Sequence, residues 1–475
     1  MRAPLLLSLA ALASCVSAPV GAGMPDDGLV DPGFGSAGLA RLYPGDAGFD
    51  IHSSARDLAW SPLSGKFYVL GGSEELLLAR LNGNGSLDTG FSIQGYASQL
   101  PDLPNGYRYT LKQIAISSSG KPLVAGTFTE TESGFFDEQA VVCRLAVAGN
   151  ADSSFDTDGC RVFEFDQGSS NSADEITAIW PLPGDELLIA GFASTEFPAQ
   201  RAFIAKLQSN GSYDPDFGLG GLRWLNFPLT DAVHVGAIAV GADGRIFVSG
   251  GRSGSGIPTA YLAAFDAGGD PISAFGTNGM AQFSFANDFP PQSTVNHRIS
   301  GLVTDPDGRI TMCGNASGTN SVENLVALVR YNSDGELDPT FDGDGHVLTG
   351  FSELDSVNLT GPCVRDSRGR VTVALHHGNW TVYDPQLALM RFREDGSTDE
   401  YFDGDGRLSL ALDIGPGDEG SEFVAGLVGQ GQDLVVLATA LEQDAGVNDG
   451  TSANQFIALR IRNDQAFQDG FEAAD

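Results

Sequence analysis

Six histidines, His52, His234, His297, His346, His376 and His377, are the side chains of this sequence best suited to acid–base, metal or ligand chemistry. No two of them stand at a metal-ligand spacing, so any joint site has to be made by the fold. His376 and His377, followed by Trp380 and Tyr383, bring ring donors and aromatic faces into one short segment. That segment is the leading ligand-contact cluster, suited to a glycan or a protein partner; a loop packed on its own scaffold is the competing reading. Asp342-Gly343-Asp344-Gly345 and Asp403-Gly404-Asp405-Gly406 set hard oxygen donors around a glycine turn, as the first half of a calcium loop does. Matching turns read Gly218-Leu219-Gly220-Gly221 and Gly276-Thr277-Asn278-Gly279, and no glutamate follows at bidentate spacing. A structural turn therefore comes first for Asp342, Asp344, Asp403 and Asp405, and calcium second. Serine-elbow, Walker, HExxH and CxxC motifs are absent from the sequence. No catalytic residue is assigned.

Cys143, Cys160, Cys313 and Cys363 form an even set that two disulfides can satisfy, in three pairings. An oxidising compartment agrees with the N-terminus, where Arg2 precedes the apolar run Leu5 to Leu12, too short to span a bilayer and typical of an export signal. Two processing routes compete. Leu12-Ala13-Ser14-Cys15 has the form of a lipobox, with Cys15 as the lipidated residue, and Val20-Gly21-Ala22 suits an ordinary signal peptidase. The chain is expected outside the cytoplasm, either extracellular or in the cell envelope, with the periplasm and an outer-membrane lipoprotein as alternatives. No later stretch is long and apolar enough to form a transmembrane span, which leaves a lipid anchor as the one membrane attachment considered. With 61 acidic and 26 basic residues the formal net charge is −35. Such a field repels polyanions at long range, so nucleic acid and anionic membranes are poor partners.

The residues with chemistry sit on a repeat. The stretch Leu337-Asp338-Pro339-Thr340-Phe341-Asp342-Gly343-Asp344-Gly345 returns along the whole chain, with Phe34, Phe91, Phe155, Phe217, Phe275, Phe341 and Phe402 spaced 57, 64, 62, 58, 66 and 61 residues apart. Between these anchors the same signals recur in order. In the clearest unit, Ile299 to Val303 reads as a strand, Asp305-Pro306-Asp307-Gly308 as a tight turn and Arg309 to Cys313 as a second strand. A variable loop follows, then the strand Leu325 to Tyr331, the anchor, and a last strand from His346 to Phe351. Four short strands in about sixty residues, called a to d here, make one propeller blade. Seven a-b-c sets begin near Arg56, Leu111, Ile176, Val235, Arg298, Leu359 and Phe423. The last has no d strand after it, and the N-terminus has an anchor and a d strand, Leu39 to Tyr43, with no set before it. The fold class is therefore all-β, a seven-bladed β-propeller of four-stranded antiparallel blades, closed by the N-terminal strand joining the C-terminal blade. Residues 1–22 are the export signal (or a lipoprotein signal ending at Cys15), 29–462 the propeller and 463–475 a tail.

The anchors Gly-Ser-Leu-Asp-Thr-Gly-Phe, Gly-Ser-Tyr-Asp-Pro-Asp-Phe-Gly and Gly-Glu-Leu-Asp-Pro-Thr-Phe, preceded by strands ending Val-Ala-Gly or Ile-Ala-Gly, resemble the bacterial delta-60 repeat over nearly the whole mature chain. The resemblance implies an exported β-propeller and carries no activity with it. Copy five departs at Ile272, and copy two ends in Ser92-Ile93-Gln94. The tail Phe467 to Glu472 is similar to short C-terminal tails on exported proteins of some Gram-negative bacteria.

Placed on blades, the polar residues acquire positions. His52, His234 and His297, with Arg108 and Asn358, lie ten to thirteen residues before the a-to-b turn glycine, at the start of the innermost strand and one mouth of the channel. The a-to-b and c-to-d turns are near copies, whereas the b-to-c loops differ, running from Gly72-Ser73-Glu74 to Thr127–Gln139, Phe192–Arg201, His376–Pro385 and Leu441–Asn454. A rigid scaffold with one variable face points to binding there. Two functions are weighed: a binding or interaction scaffold, which is preferred, and a secreted carbohydrate- or peptide-active enzyme at the channel mouth. Cys143 and Cys160 fall on strands c and d of one blade, Cys313 and Cys363 on neighbouring blades, and those pairings are expected. Eight residues before the anchor Asp stands a basic residue, as Arg80 with Asp88, Arg144 with Asp152, Lys206 with Asp214, Arg330 with Asp338 and Arg391 with Asp399. The fourth blade loses both together, with Ala264 and Ile272. An ion pair is inferred, and across the seam Arg460 is expected to meet Asp31.

Overall fold

The β-branched and aromatic runs between Gly-Asp turns pair as antiparallel ladders, because a strand only a few residues long cannot satisfy its backbone alone. The computed structural model describes residues 27–48, 53–72, 76–98, 100, 107–130, 137–163, 165, 173–196, 199–228, 231–254, 257–291, 293–319, 324–351, 356–378, 385–410, 412, 421–441 and 454–463. Their strands form seven four-stranded antiparallel sheets, one per blade. The innermost strands a are Ser54–Ser61, Tyr107–Ile116, Glu175–Pro181, Ala232–Val240, Val295–Thr304, Ser356–Arg365 and Ser421–Gln430. In blade 5 strand b is Ile310–Gly318, strand c Asn324–Tyr331 and strand d His346–Thr349, so the expected order holds and the inner strands are longer than their sequence signals.

Closure takes the expected form. Leu39–Leu42 adds to Asn454–Ile461 as the outer strand of blade 7, with Leu39 opposite Leu459 and Leu42 opposite Phe456. Across that seam Arg460 Nε donates to Asp31 Oδ2 at 2.8 Å. All five repeated ion pairs are present: Arg80–Asp88 at 2.8 Å, Arg144–Asp152 at 2.7 Å, Lys206–Asp214 at 2.8 Å, Arg330–Asp338 at 2.8 Å and Arg391–Asp399 at 2.7 Å. The pair Arg330–Asp338 is nearly sealed from water, its side chains 3% and 4% exposed, so removing one partner leaves a buried, uncompensated charge.

The same guanidinium groups do more than the covariation shows. Four of them reach out of their own blade to a turn carbonyl of the next: Arg80 to Val147, Arg144 to Ser209, Arg330 to Glu394 and Arg460 to Gly83. Lys206 lacks the fork for this, and in blade 3 Arg223 on strand d donates to the Gly269 carbonyl instead. Blade 4, with Ala264 in the basic position, uses Arg245 after its a-to-b turn to reach Ser333. In blade 6 Arg370 donates to the Asn463 carbonyl, while the fully buried Arg391 binds Asp27 at 2.8 Å. Seven blades are thus joined by seven clasps, from three different strand positions. The anchor phenylalanines lie beneath, Arg80 over Phe91 at 4.4 Å and Arg330 over Phe341 at 4.5 Å. A turn glycine of the following blade covers the ring: Gly269 has φ +81°, and a Cβ there would come within 2.6 Å of Phe217.

Two features differ from the sequence reading. Every strand a carries a register break, at Ala55/Asp57, Leu111/Gln113, Ile176/Ala178, Val235/Ala237, Ile299/Gly301, Leu359/Cys363 and Val424/Gly426. The bulge pushes a carbonyl toward strand b, which is why Val-Ala-Gly ends in glycine there; at the matching Gly250 a Cβ would sit 1.9 Å from the His234 oxygen. The b-to-c loops are also shorter than expected, since Pro122–Glu130 pairs with Asp137–Arg144 and Leu187–Glu196 with Ala199–Leu207. Alternating Thr127, Phe128 and Thr129 extend the ladder. Both disulfides form as expected, Cys143–Cys160 within blade 2 and Cys313–Cys363 between blades 5 and 6, with Cα separations of 4.0 and 6.3 Å.

Candidate functional site

Antiparallel pairing puts the start of each strand a beside the end of strand b, as Val295 beside Gly318. One face therefore carries these ends and the b-to-c loops, and the other carries the a-to-b and c-to-d turns with their clasps. His234 and His297 are each the third residue of their strands a, in blades 4 and 5, on the loop face. Arg108 is the second residue of strand a of blade 2, on the same face, and is exposed, two blades from His234 and three from His297. His52, Trp380 and Tyr383 lie outside the described residues.

His376 and His377 do not belong to a loop. Strand b of blade 6 continues through Gly378, with His376 opposite Leu387 and His377 opposite Gln386, and both side chains are buried. Neighbouring strand residues face opposite ways. The His376 ring meets Phe423 edge-on at 5.4 Å; His377 stacks on Phe351 at 4.0 Å, and its Nε2 lies 2.9 Å from Ser409 Oγ. The expected exposed cluster is thus divided between two blade interfaces.

The structure instead brings His234 and His297 together. They line a pocket of about 350 Å³ between blades 4 and 5, with Arg252, Ser253, Asn296 and Arg298. Arg252 is held by Asp231, a fully buried carboxylate. His297 Nε2 accepts the Phe285 N–H at 3.1 Å, which assigns the proton of the neutral ring to Nδ1. That Nδ1 is buried without a hydrogen-bond partner among the described residues, as is His234 Nε2. The His234 ring lies on Gly251, where a Cβ would be 2.2 Å from Cε1, so any side chain there would evict it. Burial, and then the neighbouring His234, pushes His297 down to about 4. His234 is lowered by burial and by Arg298, and His376 is pushed to about 4 by burial, Arg298 and His377. Near neutral pH the imidazoles are uncharged donors and acceptors, and Arg298, exposed at the pocket, is the fixed charge.

Below this mouth the channel is walled by the bulged segments of all seven strands a. Asp57 there accepts the Leu58 N–H at 2.8 Å and the Ile114 N–H at 2.9 Å, tying blade 1 to blade 2. Burial pushes its carboxyl up to about 7 in spite of those two bonds. On the opposite face the aspartates of the Gly-Asp turns act as caps: Asp344 accepts the His346 N–H at 3.2 Å and Asp405 the Arg407 N–H at 2.9 Å. Asp342 and Asp403 hold left-handed φ of 51° and 50°, where other copies use Gly218 or Gly276. Among the described residues no three His, Cys, Asp or Glu side chains converge as a metal site.

Arg298, Arg252 and Asp57 are the polar residues of this region that sequence reasoning passed over. Arg298 had a signal, since it directly follows a histidine at the start of strand a. Arg252 had none beyond its place past the end of a Gly-Gly pair.

A β-propeller domain family of unknown function, DUF5122, matches residues 63–91 and 306–341, which run from the a-to-b turn to the anchor phenylalanine in blades 1 and 5. No curated protein matches the chain. Among solved structures, a protein of unknown function from Dyadobacter fermentans DSM 18053 is 11% identical and aligns over 91% of this chain and 100% of its own, with a TM-score of 0.41. The polysaccharide lyase Uly1 is also 11% identical and aligns over 86% of this chain and 90% of its own, with a TM-score of 0.46. Likenesses at that level carry no functional argument. No helix among the described residues is long and apolar enough to cross a membrane.

Proposed function

We propose that this protein is an exported β-propeller that acts as a binding scaffold outside the cytoplasm, taking a glycan or protein ligand on its loop face. The observation that carries the reading is the pocket between blades 4 and 5. It gathers two imidazole nitrogens without partners and an exposed arginine on the face whose loops vary, while the other face is spent on clasps between blades. Two disulfides agree with an oxidising compartment. The export signal, its processing after residue 22 or at Cys15, and a lipid anchor remain part of the proposal. The alternative, a carbohydrate- or peptide-active enzyme, calls for an acid and a base aimed at one point. The pocket lining offers imidazole and guanidinium groups and no carboxylate.

Glycan and proteome binding by the mature chain tests the proposal, using Arg298→Gln on the loop face and Leu219→Ser on the turn face. Leu219 is 77% exposed, so its replacement is a structural control. A ligand lost in the first variant and kept in the second supports the scaffold reading. Turnover of a glycan or peptide by the wild type, with both variants equally active, would contradict it.

A further inference from the structure

We infer that the pocket between blades 4 and 5 is an oxyanion site, which takes a carboxylate or sulfate group carried on a molecule of about monosaccharide size. This rests on the reading of the loop face as the binding face and names the chemistry of its ligand. The chain has 61 acidic and 26 basic residues, yet the pocket lining holds two arginines, two histidines and no acid. Arg252 is matched by Asp231. Arg298 is exposed and makes no ion pair among the described residues. Beside it His297, 6% exposed, and His234 line the pocket, each with one buried ring nitrogen that has no hydrogen-bond partner among the described residues. A neutral hydroxyl or amide could meet the imidazoles but would leave the guanidinium unmatched. An oxyanion meets both, since it accepts several hydrogen bonds and carries the opposite charge.

The size and sign of the ligand follow from the surroundings. A volume of about 350 Å³ lies at the small end of ligand pockets, enough for one sugar ring with its substituents. The net charge of −35 repels a polyanion before contact, so the ligand carries one or two charges rather than many. Salt near 150 mM shortens that repulsion to about 8 Å and leaves the contacts themselves in place.

The test is a titration of the full mature chain at pH 7 and 150 mM salt with D-glucuronate, inorganic sulfate and D-glucose, repeated on Arg298→Gln, with thermal unfolding of both proteins. Saturable binding of glucuronate or sulfate, none of glucose, and a loss of roughly tenfold or more in Arg298→Gln is the expected result. Unchanged unfolding assigns that loss to the site. Glucuronate alone would point to a carboxylate, sulfate alone to a sulfate ester. Failure of both anions to saturate, or glucose binding as well as glucuronate, would overturn the inference. A glycan or protein ligand of the loop face that Arg298→Gln binds as well as wild type overturns the oxyanion site and leaves the scaffold reading standing. A wild-type protein that binds no glycan, protein or anion at all would end both.

Discussion

The two faces of the propeller use the same residue types for opposite ends. On the turn face the clasp arginines are spent: each binds its blade's anchor aspartate, lies over a phenylalanine, or crosses to the next blade, and Arg391 beside them binds Asp399 and Asp27 fully buried. On the loop face Arg298 is exposed and the imidazoles of His234 and His297 keep ring nitrogens without partners. A repeat explains the contrast. An interaction that holds neighbouring blades together is wanted in every copy, whereas a ligand needs its groups once. The repeated face is therefore the structural one, and the place where the repeat fails is the place to look for binding.

The largest expected effect comes from breaking a sealed pair on the turn face. Asp338→Ala leaves Arg330 buried and uncompensated, and should lower the stability measured by denaturant unfolding by about 3–5 kcal/mol. Asp27→Ala should cost less, because Arg391 loses the Asp27 contact at 2.8 Å but keeps Asp399 at 2.7 Å. Disulfide removal comes next. Cys313→Ser with Cys363→Ser opens a loop of 50 residues, against 17 for Cys143→Ser with Cys160→Ser. Chain entropy puts both near 3–4 kcal/mol, the first about 1 kcal/mol larger, and the two midpoints measured side by side check the order.

The faces also separate by pH. Folding holds His297 and His376 below the ordinary histidine value, near 4, so the unfolded chain binds more protons between about pH 6.5 and 4. Their contribution is present above pH 6.5 and is lost as the pH falls through that window. On the turn face burial works against Asp88 and Asp338, but Lys66 and Arg80, or Thr340 and Arg330, outweigh it and hold both carboxyls low. Their contribution is lost only below the ordinary aspartate range. Asp57 runs the other way, its contribution fading as the pH rises toward 7. The readable quantity is thus a difference: His297→Gln against wild type should lose less stability between pH 6.5 and 4, by on the order of 1–3 kcal/mol. Equal slopes would remove the burial argument for that ring. The smallest effect is expected at Asp270, 70% exposed beside Arg223, where Asp270→Ala should cost under about 1 kcal/mol in the same denaturant assay.

What the sequence disclosed follows the same division. The ion pairs were legible because the basic residue and the anchor aspartate keep one spacing and vanish together in blade 4, and the seam pair Arg460–Asp31 followed by register. The clasps were not, because Arg223 and Arg245 replace the missing fork from other strands, so no fixed spacing marks them. His234 and His297 could be placed at the channel mouth since blades superpose. His376 and His377 were misplaced because the ladder of blade 6 runs three residues past its apolar signal, through Gly378, which buries both histidines and turns them apart. The bulges left a trace, the glycine ending Val-Ala-Gly, whose cause is a carbonyl on another strand and is visible only once the strands are paired.

Equilibrium unfolding of Arg330→Gln beside Arg298→Gln tests the central contrast most directly, because one residue type is changed identically on the two faces. The account predicts a loss of about 3 kcal/mol or more for Arg330→Gln, whose guanidinium is buried against Asp338, and a change within about 0.5 kcal/mol for the exposed Arg298. Equal losses in the two variants, or a silent Arg330→Gln, would contradict it.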